Sequence, residues 1–265
     1  MAFTHVLLTG ASSGIGRALA VALAGPGVTL HLGGRDEGRL QAVAAQCLAK
    51  GAVVHPRIVS VTDAGGMDEW IENAGPLDLV IANAGISGGT GGKAGGTIEN
   101  AAQTRAIFAT NLTGALNTVL PTLEKMSSQP PGMDGWRGQI ACIASIAAFI
   151  ALPQSPSYCA AKAALDRWTV ATAPQARRAG IKLVSVCPGY VRTPMTCANQ
   201  FPMPGLVTAE RAADLVARGL ESGQARVVFP RWFGFFTKMS GLLPPAAIEW
   251  ATQKAPAKGA IDLNQ

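Results

Sequence analysis

Two side chains four residues apart, Tyr158 and Lys162 in the stretch YCAAK, make a pair that can move a proton. Pro153 and Pro156 interrupt whatever precedes them and CAAKAALDRW continues with good helix formers, so the spacing predicts a helix opening here. On a helix, positions i and i+4 share a face, with about 5–6 Å between their β-carbons. A lysine ammonium beside a phenol favours the phenolate, so a tyrosine with an ordinary pKa of about 10 is expected to be lowered towards neutral pH. Ser145 ends the apolar run IACIAS upstream, where its hydroxyl is placed to orient a substrate oxygen against the tyrosine. Tyr-x-x-x-Lys occurs by chance in many helices, and it gains meaning only from what surrounds it.

The elements that must position this pair follow from the N-terminus. Phe3 to Leu8 is a β-like apolar run that feeds into TGASSGIG (Thr9 to Gly16), and RALAVALAG after it is helical. In this strand–turn–helix unit, Gly10, Gly14 and Gly16 free the backbone to turn sharply and let a pyrophosphate approach the helix N-terminus. The spacing is GxxxGxG, not the commoner GxGxxG. A second β run, Val28 to Leu32, ends in GGRDEGRL. At such a strand tip an acidic residue takes the ribose 2′-hydroxyl of NAD, whereas an arginine accommodates the extra phosphate of NADP. Arg35 therefore favours NADP, with NAD second; Asp36 argues the other way, and both also make sense as solvated loop charges.

Beyond this point a helix over Gln41 to Lys50, a strand over Val53 to Val61, a helix near Met67 to Glu72 and a strand over Leu77 to Ile81 are expected, the last closing on Asn83-Ala84-Gly85. The alternation predicts an α/β fold, a single Rossmann-like doubly wound parallel sheet with helices on both faces. Ligands on such sheets sit at the carboxyl ends of the strands, and every motif above falls at one. Glu99 to Met126 reads as one long helix through Asn111, and Ile86 to Gly96 as a glycine-rich surface connection or a flap over the crevice. Lys182 to Cys187 and Val227 to Phe229 complete the strands, with a helix from Thr208, its N-cap, to Leu220 between them.

Taken together, TGASSGIG, Asn83-Ala84-Gly85, Asn111 in ATNLTGAL, Ser145, YCAAK and PGYVRTPM resemble the short-chain dehydrogenase/reductase family in order and spacing, over roughly residues 4 to 200. The resemblance implies that Tyr158 is the general acid/base, that Lys162 binds the nicotinamide ribose and lowers the tyrosine pKa, that Ser145 holds the substrate carbonyl, and that Asn111 supports a proton relay through water to Lys162. It further implies that the glycine turn (Gly10, Ser12, Ser13, Gly14, Ile15, Gly16), Arg35, and the segments Ser60-Val61 and Asn83-Ala84-Gly85 hold the cofactor together with Tyr158 and Lys162. Pro188, Gly189, Val191 and Thr193 are then expected to pass under the nicotinamide. Ser60 stands where the family often has an aspartate for the adenine amino group, which weakens that contact. Ala144 stands where a second serine is frequent. The resemblance also implies a homodimer or homotetramer built on the long helix and the Tyr158 helix.

The expected activity is hydride transfer between NADP(H) and a carbonyl or secondary alcohol of an apolar small molecule, with Ile146, Phe149, Met195 and Phe201 lining the substrate space. The alternative is a non-catalytic nucleotide-sensing or scaffold protein on the same fold, which would have no need of a tuned phenol.

Composition sets the outer bounds. The chain has 265 residues, 48% hydrophobic, and a net charge of +6, but only 14% are charged and no dense Lys/Arg run suggests nucleic acid. Five cysteines form no CxxC pair and no metal-ligand spacing with the three histidines; they read as buried reduced thiols, no metal is expected, and a cytoplasmic setting is favoured. The N-terminus does not read as a signal peptide, and the longest apolar run, Ile140 to Leu152, is too short to span a bilayer. Residues 1–230 read as the dinucleotide-binding catalytic domain. Residues 231–265 read as an apolar extension packed on that domain or on a partner subunit, because Trp232, Phe233, Phe235, Phe236, Leu242 and Trp250 crowd its first part. A peripheral membrane contact is the other reading of those rings.

Overall fold

A computed structural model of the chain describes residues 3–90, 98–197, 199, 201–252 and 259–260. Most of the glycine-rich part of the loop expected over Ile86 to Gly96 lies outside the described residues, as do 253–258 and 261–265 at the end of the chain.

In chain order β1 (His5–Thr9), α1 (Gly14–Leu23), β2 (Thr29–Gly34), α2 (Glu37–Leu48), β3 (Val53–Ile58), α3 (Ala64–Asn73) and β4 (Leu79–Ala82) alternate without exception. Then come α4 (Ala101–Phe108), a π-helical turn (Ala109–Thr113), α5 (Gly114–Ser128), β5 (Gly138–Ile143), a 3₁₀ turn (Ile146–Phe149), α6 (Pro156–Arg178) and β6 (Ile181–Pro188). A short pair of strands, β7 (Val191–Arg192) and β8 (Val207–Thr208), brackets α7 (Pro194–Cys197). The described chain closes with α8 (Ala209–Glu221), β9 (Arg226–Phe229), α9 (Arg231–Ser240) and α10 (Pro245–Thr252).

Seven strands form one parallel sheet in the order β3-β2-β1-β4-β5-β6-β9, a Rossmann-like doubly wound α/β fold, as expected. Its central strands are apolar throughout because both faces are covered: all four residues of β4 and all six of β5 are buried. Alternate side chains serve the two faces. Val6, Leu8, Leu79 and Ile81 meet Leu19, Leu40, Val216 and Leu220, from α1, α2 and α8. Leu7, Val80, Ile140 and Cys142 meet Met67, Trp70, Val119 and Leu165, from α3, α5 and α6.

Helix starts follow local chemistry. Asp36, Asp63, Asn100 and Thr208 each cap a helix by accepting from the backbone N–H three residues on. Pro156 occupies the first turn of α6, where its missing N–H costs nothing. Two expectations shift: β3 ends at Ile58 rather than Val61, and the helix through Asn111 is interrupted by the π turn.

Candidate active site

Strand order reverses between β1 and β4, and a crevice of about 860 Å³ opens over the carboxyl ends of the central strands there. That volume and place suit a cofactor site. One wall is the turn after β1. Gly10 has φ 66°, and a Cβ at Gly16 would run into the Gly10 carbonyl, so helix and turn approach as closely as they do only with glycine at both places. Ser13, the N-cap residue of α1, makes no side-chain cap bond, and the first turn carries no acidic residue. Its first-turn amides are therefore free of a side-chain acceptor and of a repelling carboxylate, the arrangement that takes a phosphate.

The turn is held from β4. Asn83 Nδ2 donates to the carbonyls of Thr9 (3.0 Å) and Gly10 (3.1 Å), while Thr9 Oγ1 accepts from the amides of Asn83 (3.0 Å) and Ala84 (3.2 Å). Asn83 thus fixes the shape of the glycine turn with its side chain.

Other crevice residues come from α6 and the end of β5. Tyr158 and Lys162 project from the first turns of α6, and Ser145 stands where β5 ends. All three line the crevice. Ser145 Oγ accepts from the Ala147 amide at 3.1 Å, and its hydroxyl lies close enough to the Tyr158 phenol to favour the phenolate. Lys162 is 4% exposed, and its Nζ donates to the Ile143 carbonyl at 2.6 Å, 6.0 Å from the centre of the Tyr158 ring. Asn111 is wholly buried inside the π turn, its Oδ1 accepting from the Ile86 amide and its Nδ2 donating to the Ile86 carbonyl, both at 2.8 Å. Gly85 runs between the two: a Cβ there would lie 3.1 Å from Asn111 Oδ1 and 3.6 Å from Lys162 Nζ.

Electrostatics differ from the expectation drawn from the pair alone. Burial pushes the Tyr158 phenol up to about 12, and the Ser145 hydroxyl only partly opposes it. Burial likewise drives Lys162 down to about 8, against an opposing influence of the Cys187 and Cys142 thiols. Desolvation is the largest influence on both groups, so each is shifted towards its neutral form.

Of the residues expected at the cofactor, Gly10, Ser12, Ser13, Gly14, Ile15, Arg35, Ser60, Val61, Asn83, Ala84, Gly85, Pro188, Gly189, Val191 and Thr193 line the crevice. Gly16 and Asn111 do not: the first packs under the turn, and the second lies behind Gly85 and Ile86. Among the four residues expected to shape the substrate space only Met195 lines the crevice. Ile146 is buried near Gly189, Phe149 lies under the Arg226 guanidinium at 5.5 Å, and Phe201 packs edge-on against Tyr190 at 6.1 Å.

With the geometry in hand, comparison with known proteins decides the lineage. The family model for short chain dehydrogenases matches residues 4–201. The chain belongs to the short-chain dehydrogenase/reductase family. This short-chain dehydrogenase/reductase is 34% identical over 258 residues to an uncharacterized oxidoreductase of Myxococcus xanthus (strain DK1622), a match that spans 96% of this chain and 98% of the relative. It is 30% identical over 233 residues to the ketoacyl reductase HetN of Nostoc sp., covering 84% of this chain and 77% of that one. A short-chain type dehydrogenase/reductase from Mycobacterium marinum, known from a crystal structure, matches at a TM-score of 0.71 and 26% identity over 85% of this chain and 93% of that chain. Membership makes the chain an NAD(P)-dependent oxidoreductase that interconverts CH–OH and C=O groups.

In this short-chain dehydrogenase/reductase several crevice residues escaped the sequence reading. Gly33, Gly34 and Arg39 flank Arg35 and Asp36, and Thr62 donates or accepts at 2.8 Å from Ser60 Oγ. Thr196 closes the floor, its Oγ1 donating to the Val191 carbonyl at 2.6 Å and accepting from the Thr193 amide at 3.0 Å. The last of these had a signal, since a threonine three residues after Thr193 can close a hydroxyl-backbone turn.

Proposed function

We propose that the enzyme reduces a carbonyl of an apolar small molecule with NADPH, or runs the reverse oxidation, with Tyr158 moving the proton. The observation that carries this reading is that Tyr158, Ser145 and Lys162 line the same crevice as the glycine turn. When bound, the nicotinamide supplies or accepts the hydride. Ser145 and Tyr158, neighbours in the crevice lining, present two hydroxyls to one substrate oxygen. With its pKa raised to about 12 the phenol stays protonated near neutral pH, so it is ready to donate in the reducing direction. Lys162 keeps most of its charge at neutral pH, and its ammonium stabilises the phenolate left after donation. Asn111 holds the Ile86 backbone, and through it the strip that separates Lys162 from the π turn, which supports a positioning part in proton return.

NADP is favoured over NAD by the tip of β2. Asp36 Oδ1 accepts from the Arg39 amide and its Oδ2 from Arg39 Nε, both at 2.8 Å, so its carboxylate is already engaged at the start of α2. A ribose hydroxyl would have to compete with both bonds, whereas Arg35, exposed on the crevice wall, complements a 2′-phosphate. The Nostoc relative is named a ketoacyl reductase, which supports a carbonyl substrate here. Four buried free thiols and an exposed one, Cys197, suit a reducing compartment such as the cytoplasm. We assign residues 1–230 to the catalytic domain, 231–265 to an extension, and a homodimer or homotetramer to the faces of α5 and α6.

The test is turnover against a panel of apolar ketones and secondary alcohols with each cofactor. NADPH-dependent reduction of panel members supports the reading; cofactor binding without turnover on any of them contradicts it.

A further inference from the structure

Helix α9 is amphipathic in the reverse of the usual sense. Towards the protein it turns Gly234 and Thr237, both buried, and a Cβ at Gly234 would run into the Val228 side chain. Towards solvent it turns Trp232, Phe235, Phe236 and Met239, which are 52%, 62%, 60% and 48% exposed. These fall at i, i+3, i+4 and i+7, a single apolar stripe. A surface helix ordinarily hides that stripe and shows its small polar residues, since exposed apolar area costs about 25 cal/mol per Å². The rings also touch one another: Trp232 meets Phe236 edge-on at 6.3 Å, and Phe235 meets Phe236 at 6.1 Å. Leu242 and Leu243 continue the apolar exposure in sequence, and Trp250 of α10 is 78% exposed.

Charge indicates what covers this face. From Pro230 to Trp250 the chain carries two cations, Arg231 and Lys238, against one carboxylate, Glu249 at the far end on α10. A second copy docked on the same face would leave each side of the seam with a net positive charge, whereas anionic headgroups complement both cations of α9. Trp and Phe beside Lys and Arg suit the boundary between headgroups and acyl chains. The net charge of +6 adds long-range attraction to an anionic surface. No described helix is long and apolar enough to cross a membrane, so the mode is lying on the surface.

We propose that α9 lies in the surface of an anionic bilayer, with Trp232, Phe235, Phe236 and Met239 at the headgroup–acyl boundary and Arg231 and Lys238 on lipid phosphates. The docked helix adjoins the crevice. Its end, Gly241, packs on the Phe149 carbonyl in the 3₁₀ turn that follows Ser145, and Phe233 stacks at 5.8 Å on Tyr190, next to the wall residue Gly189. An apolar substrate dissolved in the bilayer would then meet the enzyme on the side that carries Ser145. This clause rests on the oxidoreductase reading; the docking itself does not.

Flotation of the full chain on vesicles of phosphatidylcholine alone, and on equal parts phosphatidylcholine and phosphatidylglycerol, tests the proposal. Binding is expected on the anionic vesicles, weakening as salt is raised. The double substitution Phe235→Gln, Phe236→Gln should cut it by about tenfold or more, and Lys238→Gln by about fivefold. All three side chains are exposed, so circular dichroism should report an unchanged fold, and reduction of a water-soluble ketone should match the unsubstituted enzyme. That separates a failure of docking from a failure of the catalytic reading. Absence of binding to either vesicle, or binding that the double substitution leaves unchanged, overturns the proposal. Equal binding to both vesicles overturns the part given to Arg231 and Lys238. An oligomer that dissociates on the double substitution without lipid assigns the face to a second copy instead.

Discussion

Tyr158 and Lys162 are each shifted by burial towards the form with no charge, and the two shifts oppose what a lysine beside a phenol does in water. Under the proposed reduction this is workable, because the phenol would need its proton before the step and the ammonium its charge after it. Reduction should accordingly slow as pH rises through about 8, where Lys162 loses its proton, while the Tyr158 proton is still in place. A pH profile of kcat that stays flat across that region would count against the assignment of Lys162. At the tip of β2, Arg35→Ser should raise the KM for NADPH roughly tenfold or more while leaving that for NADH nearly unchanged. Equal effects on both cofactors would remove Arg35 from the phosphate. Both residues were visible in sequence as members of motifs. The direction of the phenol's shift was not, since desolvation depends on what the rest of the chain packs around it.

At the scale of elements, α6 carries more than the proton-moving pair. Asp166, one turn beyond Lys162 and 1% exposed, accepts from Arg226 Nε and Nη2 at 2.8 and 2.7 Å and from Ser185 Oγ at 2.7 Å. It therefore ties the catalytic helix to β6 and β9 and holds its register against the sheet. Arg226→Ala leaves this buried carboxylate without its cation and should cost about 3–5 kcal/mol of stability in urea unfolding. A loss within the scatter of surface substitutions, about 0.5 kcal/mol, would show that the tie does not matter. Most element boundaries were legible because caps and prolines announce them, as Thr208 and Pro156 do. The π turn around Asn111 was not legible: a helical period through ATNLTGAL looks unbroken, and the extra residue in the turn is accommodated by Gly114 packing close on Val61. Phe149 and Phe201 were misplaced for a related reason. Their neighbours in space, Arg226 and Tyr190, come from segments remote or irregular in sequence.

For the whole molecule, alternating strands and helices were enough to read the doubly wound sheet and to place the crevice at the carboxyl ends of its strands; the strand order, and its reversal between β1 and β4, came from the structure. What sequence could not supply was the outward turn of α9, because Trp and Phe in a tail suit burial and exposure equally until the packed face is known. Global stability should also depend on a pair in the sheet. His31 on β2 stacks on His55 of β3 with ring centres 5.0 Å apart, and burial followed by that neighbour holds it down to about 4. The unfolded chain takes up the proton near 6.5 and the folded one resists until about 4, so stability is lost as pH falls through that window. A shift of this size corresponds to roughly 3 kcal/mol. Urea midpoints measured down the window should fall less steeply for His31→Leu, which has no proton to gain; identical slopes would contradict the account.

The most direct measurement concerns the phenol. Tyr158→Phe removes one oxygen from the crevice wall and leaves the glycine turn, Arg35 and Lys162 in place, so NADPH should bind to it within a few-fold of the unsubstituted enzyme in a fluorescence titration. Its kcat for ketone reduction should fall by about 10² to 10⁴-fold. Turnover retained at the original rate, with binding intact, would mean that another group moves the proton.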